Sequence, residues 1–248
     1  MLPKRDLPTY TFEVPSSGKT IRYRPFTVKE QKLMLMANVD GTKMDDSEVY
    51  ETLRQVIQNC ILTEGFNVED LASFDFELLF LHLRAKSISE TVALNYVCTN
   101  EVDGAPCNQP LELNIDISKI TVQRPDKDDR KVFFTDTLGV IMNYPNVETI
   151  KKIPQFLTSR SDTLNKGAFA LITECIGFVF DGEKIHDARE IPKEEMEDFV
   201  EHLSTQDYEK ILTFFAKIPS VHARVEKACS KCGFSHVVEV EGLTSFFD

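Results

Sequence analysis

The chain has 248 residues, of which 42% are hydrophobic and 27% charged, and its formal net charge is −12. That composition suits one large domain or two modest ones. It excludes a membrane-spanning helix, since no apolar run approaches the roughly 20 residues one needs, and it argues against a general nucleic-acid binder, which carries basic surface to neutralise phosphates. Behind Lys4 and Arg5 there is no apolar stretch. No signal peptide is therefore expected, and the chain is expected to stay in the cytoplasm where it is made.

In chain order, Tyr10, Phe12 and Val14 alternate with polar residues as a half-buried strand requires. Pro15-Ser16-Ser17-Gly18 turns, and Ile21, Tyr23 and Pro25 follow in a second alternating run. A helix is predicted after Pro25, with Thr27 as N-cap and Glu30 completing a capping box. After a polar loop, Val49, Leu53, Val56, Ile57, Cys60 and Ile61 fall on one face of a longer helix. A third helix is predicted from Phe74 to Lys86. A strand from Thr91 leads into Cys98, and after Cys107 the run Leu111, Leu113, Ile115, Ile117 leads out.

The same order then recurs. Val132 to Phe134 and Val140 to Tyr144 are predicted strands about a turn, closed by Pro145. Asn146 is a candidate N-cap for a short helix to about Ile153, and Leu164, Ala168, Leu171, Ile172, Cys175 and Ile176 share a helical face. An extra hairpin, Phe178 to Ile185, is predicted to turn on Asp181-Gly182. Helices are predicted over Pro192 to Leu203 and Ser204 to Lys217, then a strand from Val221 leads into Cys229, and Val237, Val238 and Val240 lead out past Cys232. Both longer helices end alike, in Ile57-Gln58-Asn59-Cys60-Ile61 and Ile172-Thr173-Glu174-Cys175-Ile176. The expected fold is α+β, built as two tandem, divergent copies of hairpin, helices and zinc hairpin. The first copy spans 1–123, a charged linker 124–130, and the second copy 131–248.

Cys229-Ser230-Lys231-Cys232-Gly233 has the form of a zinc knuckle, in which a tight turn makes two thiolates converge. Cys98 and Cys107 form a looser pair across a loop that carries Asp103-Gly104 and Pro106. Two such hairpins facing each other would make one zinc ribbon, so Cys98, Cys107, Cys229 and Cys232 are expected to hold a single structural Zn2+. Four thiolates close the coordination sphere and leave no open position for catalysis. Three alternatives stand beside this reading: a redox pair at Cys229 and Cys232, disulfides, and His236 or His222 replacing one cysteine. Cys60 and Cys175 read as small core residues.

Elsewhere the sequence holds no Gly-rich phosphate loop, no HExxH and no GxSxG, and none of its five histidines sits in a recognisable motif with a nucleophile. Two helical stretches, Leu33-Met34-Leu35-Met36-Ala37 and Leu78-Leu79-Phe80-Leu81-His82-Leu83, are apolar all round and must be buried all round, inside this chain or against another. Phe246-Phe247 reads as a docking tail.

Three segments resemble a known family. They are Tyr23-Arg24-Pro25-Phe26-Thr27-Val28-Lys29-Glu30-Gln31-Lys32-Leu33, the run Phe76-Glu77-Leu78-Leu79-Phe80-Leu81-His82-Leu83-Arg84-Ala85-Lys86-Ser87, and the ending Gly242-Leu243-Thr244-Ser245-Phe246-Phe247. Together they are similar to the baseplate hub subunit and hub assembly family of T-even-type contractile-tailed bacteriophages. The resemblance implies a non-enzymatic phage protein that contacts other tail and baseplate hub proteins, with no nucleic acid, membrane or small-molecule substrate. It implies location in the host cytoplasm during assembly and, for a virion part, in the tail baseplate. A zinc-ribbon nucleic-acid-binding or transcription-regulating protein is the alternative, and an enzyme a further one.

Overall fold

A computed structural model describes residues 6–36, 46–152 and 168–243. Among these the fold is mixed α+β, with small antiparallel sheets and seven α-helices. The expected apolar positions Leu164 and the Phe246-Phe247 tail lie outside the described residues.

The chain opens with the hairpin β1 (Tyr10–Glu13) and β2 (Thr20–Tyr23). Its alternation works as anticipated, since Phe12, Val14, Ile21 and Tyr23 are all buried. Helix α1 (Val28–Met36) follows, then α2 (Asp46–Cys60) and α3 (Ser73–Ser87). The Glu30 carboxylate is buried and accepts from the Thr27 backbone N–H at 2.8 Å and from Arg24 Nη2 at 3.1 Å. Arg24 Nη2 also donates to the Asn59 carbonyl at 2.9 Å, so one guanidinium ties β2, α1 and the end of α2 together. Burial raises the Glu30 carboxyl, but the hydrogen bonds from Arg24 and Thr27 outweigh it and bring it down to about 2.

The two helical stretches that are apolar all round fare differently. In α3, Phe74, Phe76, Leu78, Leu79, Phe80, Leu81 and Leu83 are all buried. Each such side chain contributes about 1.5–3 kcal/mol relative to exposure. In α1, Leu33 and Met34 are only half-buried, while Leu35 and Met36 are 60% and 62% exposed.

After α3 comes the long hairpin of β3 (Thr91–Val97) and β6 (Pro110–Asp116), which carries between its strands a two-rung hairpin of β4 (Glu101–Val102) and β5 (Ala105–Pro106). The second half starts with β7 (Lys131–Phe133) and β8 (Leu138–Met142), then α4 (Val147–Lys152) and α5 (Ala168–Cys175). The extra hairpin is β9 (Ile176–Asp181) and β10 (Lys184–Asp187). It is not separate: the strands order as β7-β8-β9-β10 in one antiparallel sheet. Its turn residues are Gly182 and Glu183, one position later than the sequence suggested, because Asp181 still pairs with Lys184. Gly182 takes the φ of +62° that this turn needs. Helices α6 (Lys193–Glu201) and α7 (Thr205–Ala216) precede the last hairpin, β11 (His222–Ala228) and β12 (Ser235–Glu241). The predicted Ser204 cap of α7 forms, with its Oγ accepting from the Asp207 N–H at 3.2 Å.

Backbone pairing at the end of the two longer helices is the same. The Arg24 N–H donates to the Cys60 carbonyl at 3.0 Å, and the Asn143 N–H to the Cys175 carbonyl at 2.6 Å. Tyr23 pairs with Ile61, as Met142 pairs with Ile176.

Two apolar cores result. The first gathers the opening hairpin, α2, most of α3 and the β3–β6 hairpin, and it also takes in Val221, Val240 and Leu243 from the C-terminal hairpin. The second lies under the four-stranded sheet and gathers α5, α6 and α7 with Ala72 and Phe74 from the start of α3. Helix α3 therefore belongs to both. At this seam the Ser73 N–H donates to the Pro145 carbonyl at 2.8 Å, and Asp75 Oδ1 accepts from the Ser16 N–H at 3.0 Å. Asp75 is fully buried, and its Oδ2 has no hydrogen-bond partner among the described residues. Burial pushes its carboxyl up to about 6.

Asp75 therefore charges at a cost in the folded chain. That cost is absent below the ordinary value near 4, grows between about 4 and 6, and is complete above it. Asp75→Asn keeps the acceptor for Ser16 and removes the charge. Urea unfolding is expected to find the variant more stable by about 1–3 kcal/mol near neutral pH, with the difference gone by about pH 4. An equal difference at both pH values would remove the buried-charge account.

Candidate metal centre

Each cysteine pair is delivered by local backbone geometry. Cys98 directly follows β3, and its N–H donates to the Gln109 carbonyl at 2.9 Å. The loop to Cys107 is closed by β4 and β5 around Asp103 and Gly104, both with positive φ (52° and 78°), as a tight hairpin turn of this hand requires. The Cys107 N–H then donates to the Asn100 carbonyl at 2.8 Å. So the looser pair is brought together by a hairpin within the hairpin. In the sequence only Asp103-Gly104 and Pro106 signalled it, since two-residue strands leave no periodicity to read.

The second pair is a compact knuckle. The Cys229 N–H donates to the Phe234 carbonyl at 2.8 Å, and the Gly233 N–H returns to the Cys229 carbonyl at 2.9 Å, with Gly233 at φ +74°. Its hairpin is positioned by Val221, Val240 and Leu243 in the first core. That packing sets the knuckle against Cys98 and Cys107.

All four sulfurs, Cys98, Cys107, Cys229 and Cys232, lie within 4.8 Å of one another. Two contacts run between the hairpins: 3.7 Å from Cys98 to Cys232 and 3.8 Å from Cys107 to Cys229. A tetrahedron with metal–sulfur bonds of about 2.3 Å has edges of about 3.8 Å, so the donor set fits a Zn2+-sized thiophilic ion. Disulfide sulfurs would stand about 2.0 Å apart, and all six cysteines are free. Cys98, Cys107 and Cys229 are buried, with Tyr96 and Leu111 packed on them, while Cys232 is half-buried. Burial pushes the Cys98 thiol up, whereas the backbone N–H of Cys232 leads the contacts that hold the Cys229 thiol down.

The two histidines weighed as ligands part company. His222 begins β11, at the end of the strand away from Cys229. His236 is buried beside the cluster, with Nε2 3.1 Å from the Cys98 Sγ. Its nitrogen is not one of the atoms that mutually converge. Asn100 Nδ2 approaches the Cys232 Sγ at 3.6 Å, and Lys231 Nζ donates to the Cys107 carbonyl at 3.2 Å. Cys60 and Cys175 are buried at the ends of their helices; burial pushes both thiols up, Cys60 to about 12.

Among the described residues no helix is long and apolar enough to cross a membrane. A family model described as T4 bacteriophage base plate protein matches residues 7–248. The baseplate hub assembly protein gp26 of Enterobacteria phage T4 is 24% identical over 241 residues, which cover 96% of this chain and 98% of that protein. No solved structure matches the chain. The family match runs from the opening hairpin through both cysteine hairpins to the last residue, and the chain accordingly belongs to the T4 bacteriophage base plate protein family.

Proposed function

We propose that this chain is a non-enzymatic assembly protein of a phage baseplate hub, acting through contacts with other tail and hub proteins and held in shape by one structural Zn2+ on Cys98, Cys107, Cys229 and Cys232. The end-to-end similarity to a baseplate hub assembly protein carries the functional part of this reading. The convergence of four sulfurs from two distant hairpins supports the metal. Four thiolate ligands would leave the ion no site for substrate, which suits a structural role.

The reading includes a tandem duplication, with 1–123 and 131–248 as divergent copies about the linker 124–130, and with their cysteine hairpins facing each other as one zinc ribbon. Its support is the repeated pairing at the ends of α2 and α5. Cys60 and Cys175 are both the last helical residue, and each carbonyl accepts from the residue after the hairpin strand that its neighbour bridges. Thr27 and Asn146 stand at matching places before α1 and α4, and Asn146 Oδ1 accepts from the Thr149 N–H at 2.9 Å. In this reading each copy supplies half of one metal site.

Affinity purification of the tagged chain from infected cells is expected to bring down baseplate hub or tail proteins. Absence of the chain from every tail intermediate and from the virion would end the assembly reading. Elemental analysis of the purified protein is expected to give one zinc per chain. Cys229→Ser should abolish it and destabilise the whole chain by at least about 3 kcal/mol, because structural zinc sites contribute binding energy of roughly 10–16 kcal/mol directly to folding. A variant that kept its cooperative melt and its zinc would refute the stapling role.

A further inference from the structure

His236 makes a contact that holding the metal does not require. It stands on β12, in the C-terminal hairpin, yet its Nε2 lies 3.1 Å from the Sγ of Cys98 on the other hairpin. The side chain is only 5% exposed. Its ring is fixed edge-on by two aromatics, Tyr96 at 5.6 Å and 64° and Phe234 at 4.8 Å and 67° between planes. The imidazole therefore touches one sulfur from outside the cluster, in an orientation its neighbours set.

A metal-bound thiolate has no hydrogen to give, so the hydrogen in this contact belongs to Nε2. Four thiolates around a divalent cation carry a net charge of about −2, which a buried site tolerates poorly without hydrogen-bond donors. The sulfurs differ in what else can reach them. Cys232 is half-buried, with the Asn100 amide 3.6 Å away. Cys98 is 0% exposed, so water cannot donate to its sulfur, and its donors are the backbone N–H of Asn100 and the His236 imidazole. We propose that His236 is a positioning residue of the metal centre, donating an Nε2–H···S hydrogen bond to Cys98 that draws charge from this thiolate and slows its detachment from the metal. The proposal rests on the zinc reading above. It makes metal retention depend on a residue that is not a ligand, and it adds a polar link between the two hairpins that the ion itself does not form.

The test uses the full chain loaded with zinc, and His236→Phe and His236→Gln beside the wild type. Phe keeps an aromatic ring without a donor, and Gln keeps a donor without the ring. His236→Phe is expected to lose zinc to an excess of chelator at least about tenfold faster, the lower end of what outer-shell partners of metal ligands contribute, and His236→Gln to recover most of that loss. In the cobalt-substituted proteins the thiolate-to-cobalt band of His236→Phe should move to longer wavelength. In cadmium-113-loaded, nitrogen-15-labelled wild type, coupling from the metal to Nε2 should be visible across the hydrogen bond. Wild-type zinc loss and an unmoved band in His236→Phe would overturn the proposal. So would His236→Gln losing zinc as fast as His236→Phe, which would assign the ring to packing alone. Should His236→Phe fail to fold, the cadmium–nitrogen coupling in the wild type decides, its presence supporting the proposal and its absence overturning it. A wild-type chain that takes up neither zinc nor cobalt overturns the zinc reading and the proposal with it.

Discussion

Helix α3 buries apolar side chains on every face, and much of the fold is arranged to cover them. A helix whose apolar residues lie all round it must be covered on most of its circumference. Here its first turn is covered by the second core and the remainder by the first. One 15-residue element thus sets how the two cores meet. The seam contains its own exception, the buried carboxylate of Asp75, which anchors the turn of the opening hairpin through Ser16 while leaving one oxygen without a partner among the described residues. Such a group is tolerated where the surrounding packing is strong enough to hold it.

The convergence of the four sulfurs depends on the same packing. A knuckle alone presents two sulfurs; a closed site needs the opposite pair within a few tenths of an ångström of tetrahedral spacing. The C-terminal hairpin achieves that by burying Val221, Val240 and Leu243 in the first core, which brings Cys229 to 3.8 Å from Cys107 and Cys232 to 3.7 Å from Cys98. Apolar burial does the coarse positioning, and the short-range hydrogen bonds of each turn do the fine positioning.

Much of this was legible in the residues. The alternation of Phe12, Val14, Ile21 and Tyr23, the cap at Ser204 and the knuckle at Cys229-Cys232 each carry a local rule that tertiary context did not override. The Cys-Ile helix ends, alike in sequence, stand at two corners with the same backbone pairing. What the residues did not disclose was long-range. Nothing in β9 and β10 announces that they extend the sheet of β7 and β8, because strand order is decided by packing and not by periodicity. Leu35 and Met36 have the same local character as the core of α3, yet they stay exposed, since what covers a helix is a property of its neighbours. The sequence offers His236 as a residue that could replace one cysteine as ligand; its place behind Cys98 follows from the meeting of two hairpins far apart in sequence.

The C-terminal hairpin belonging to the first core has a consequence for how the chain is made. Synthesis is vectorial, and segments generally fold as they emerge. The first 120 residues leave the ribosome with their core still open where Val221, Val240 and Leu243 will sit. Contacts that close such long loops form late and slowly. This chain therefore exposes an incomplete apolar surface until residues 221–243 have been made, so that a product truncated before them carries the defect among residues 12–120, far from the point of truncation.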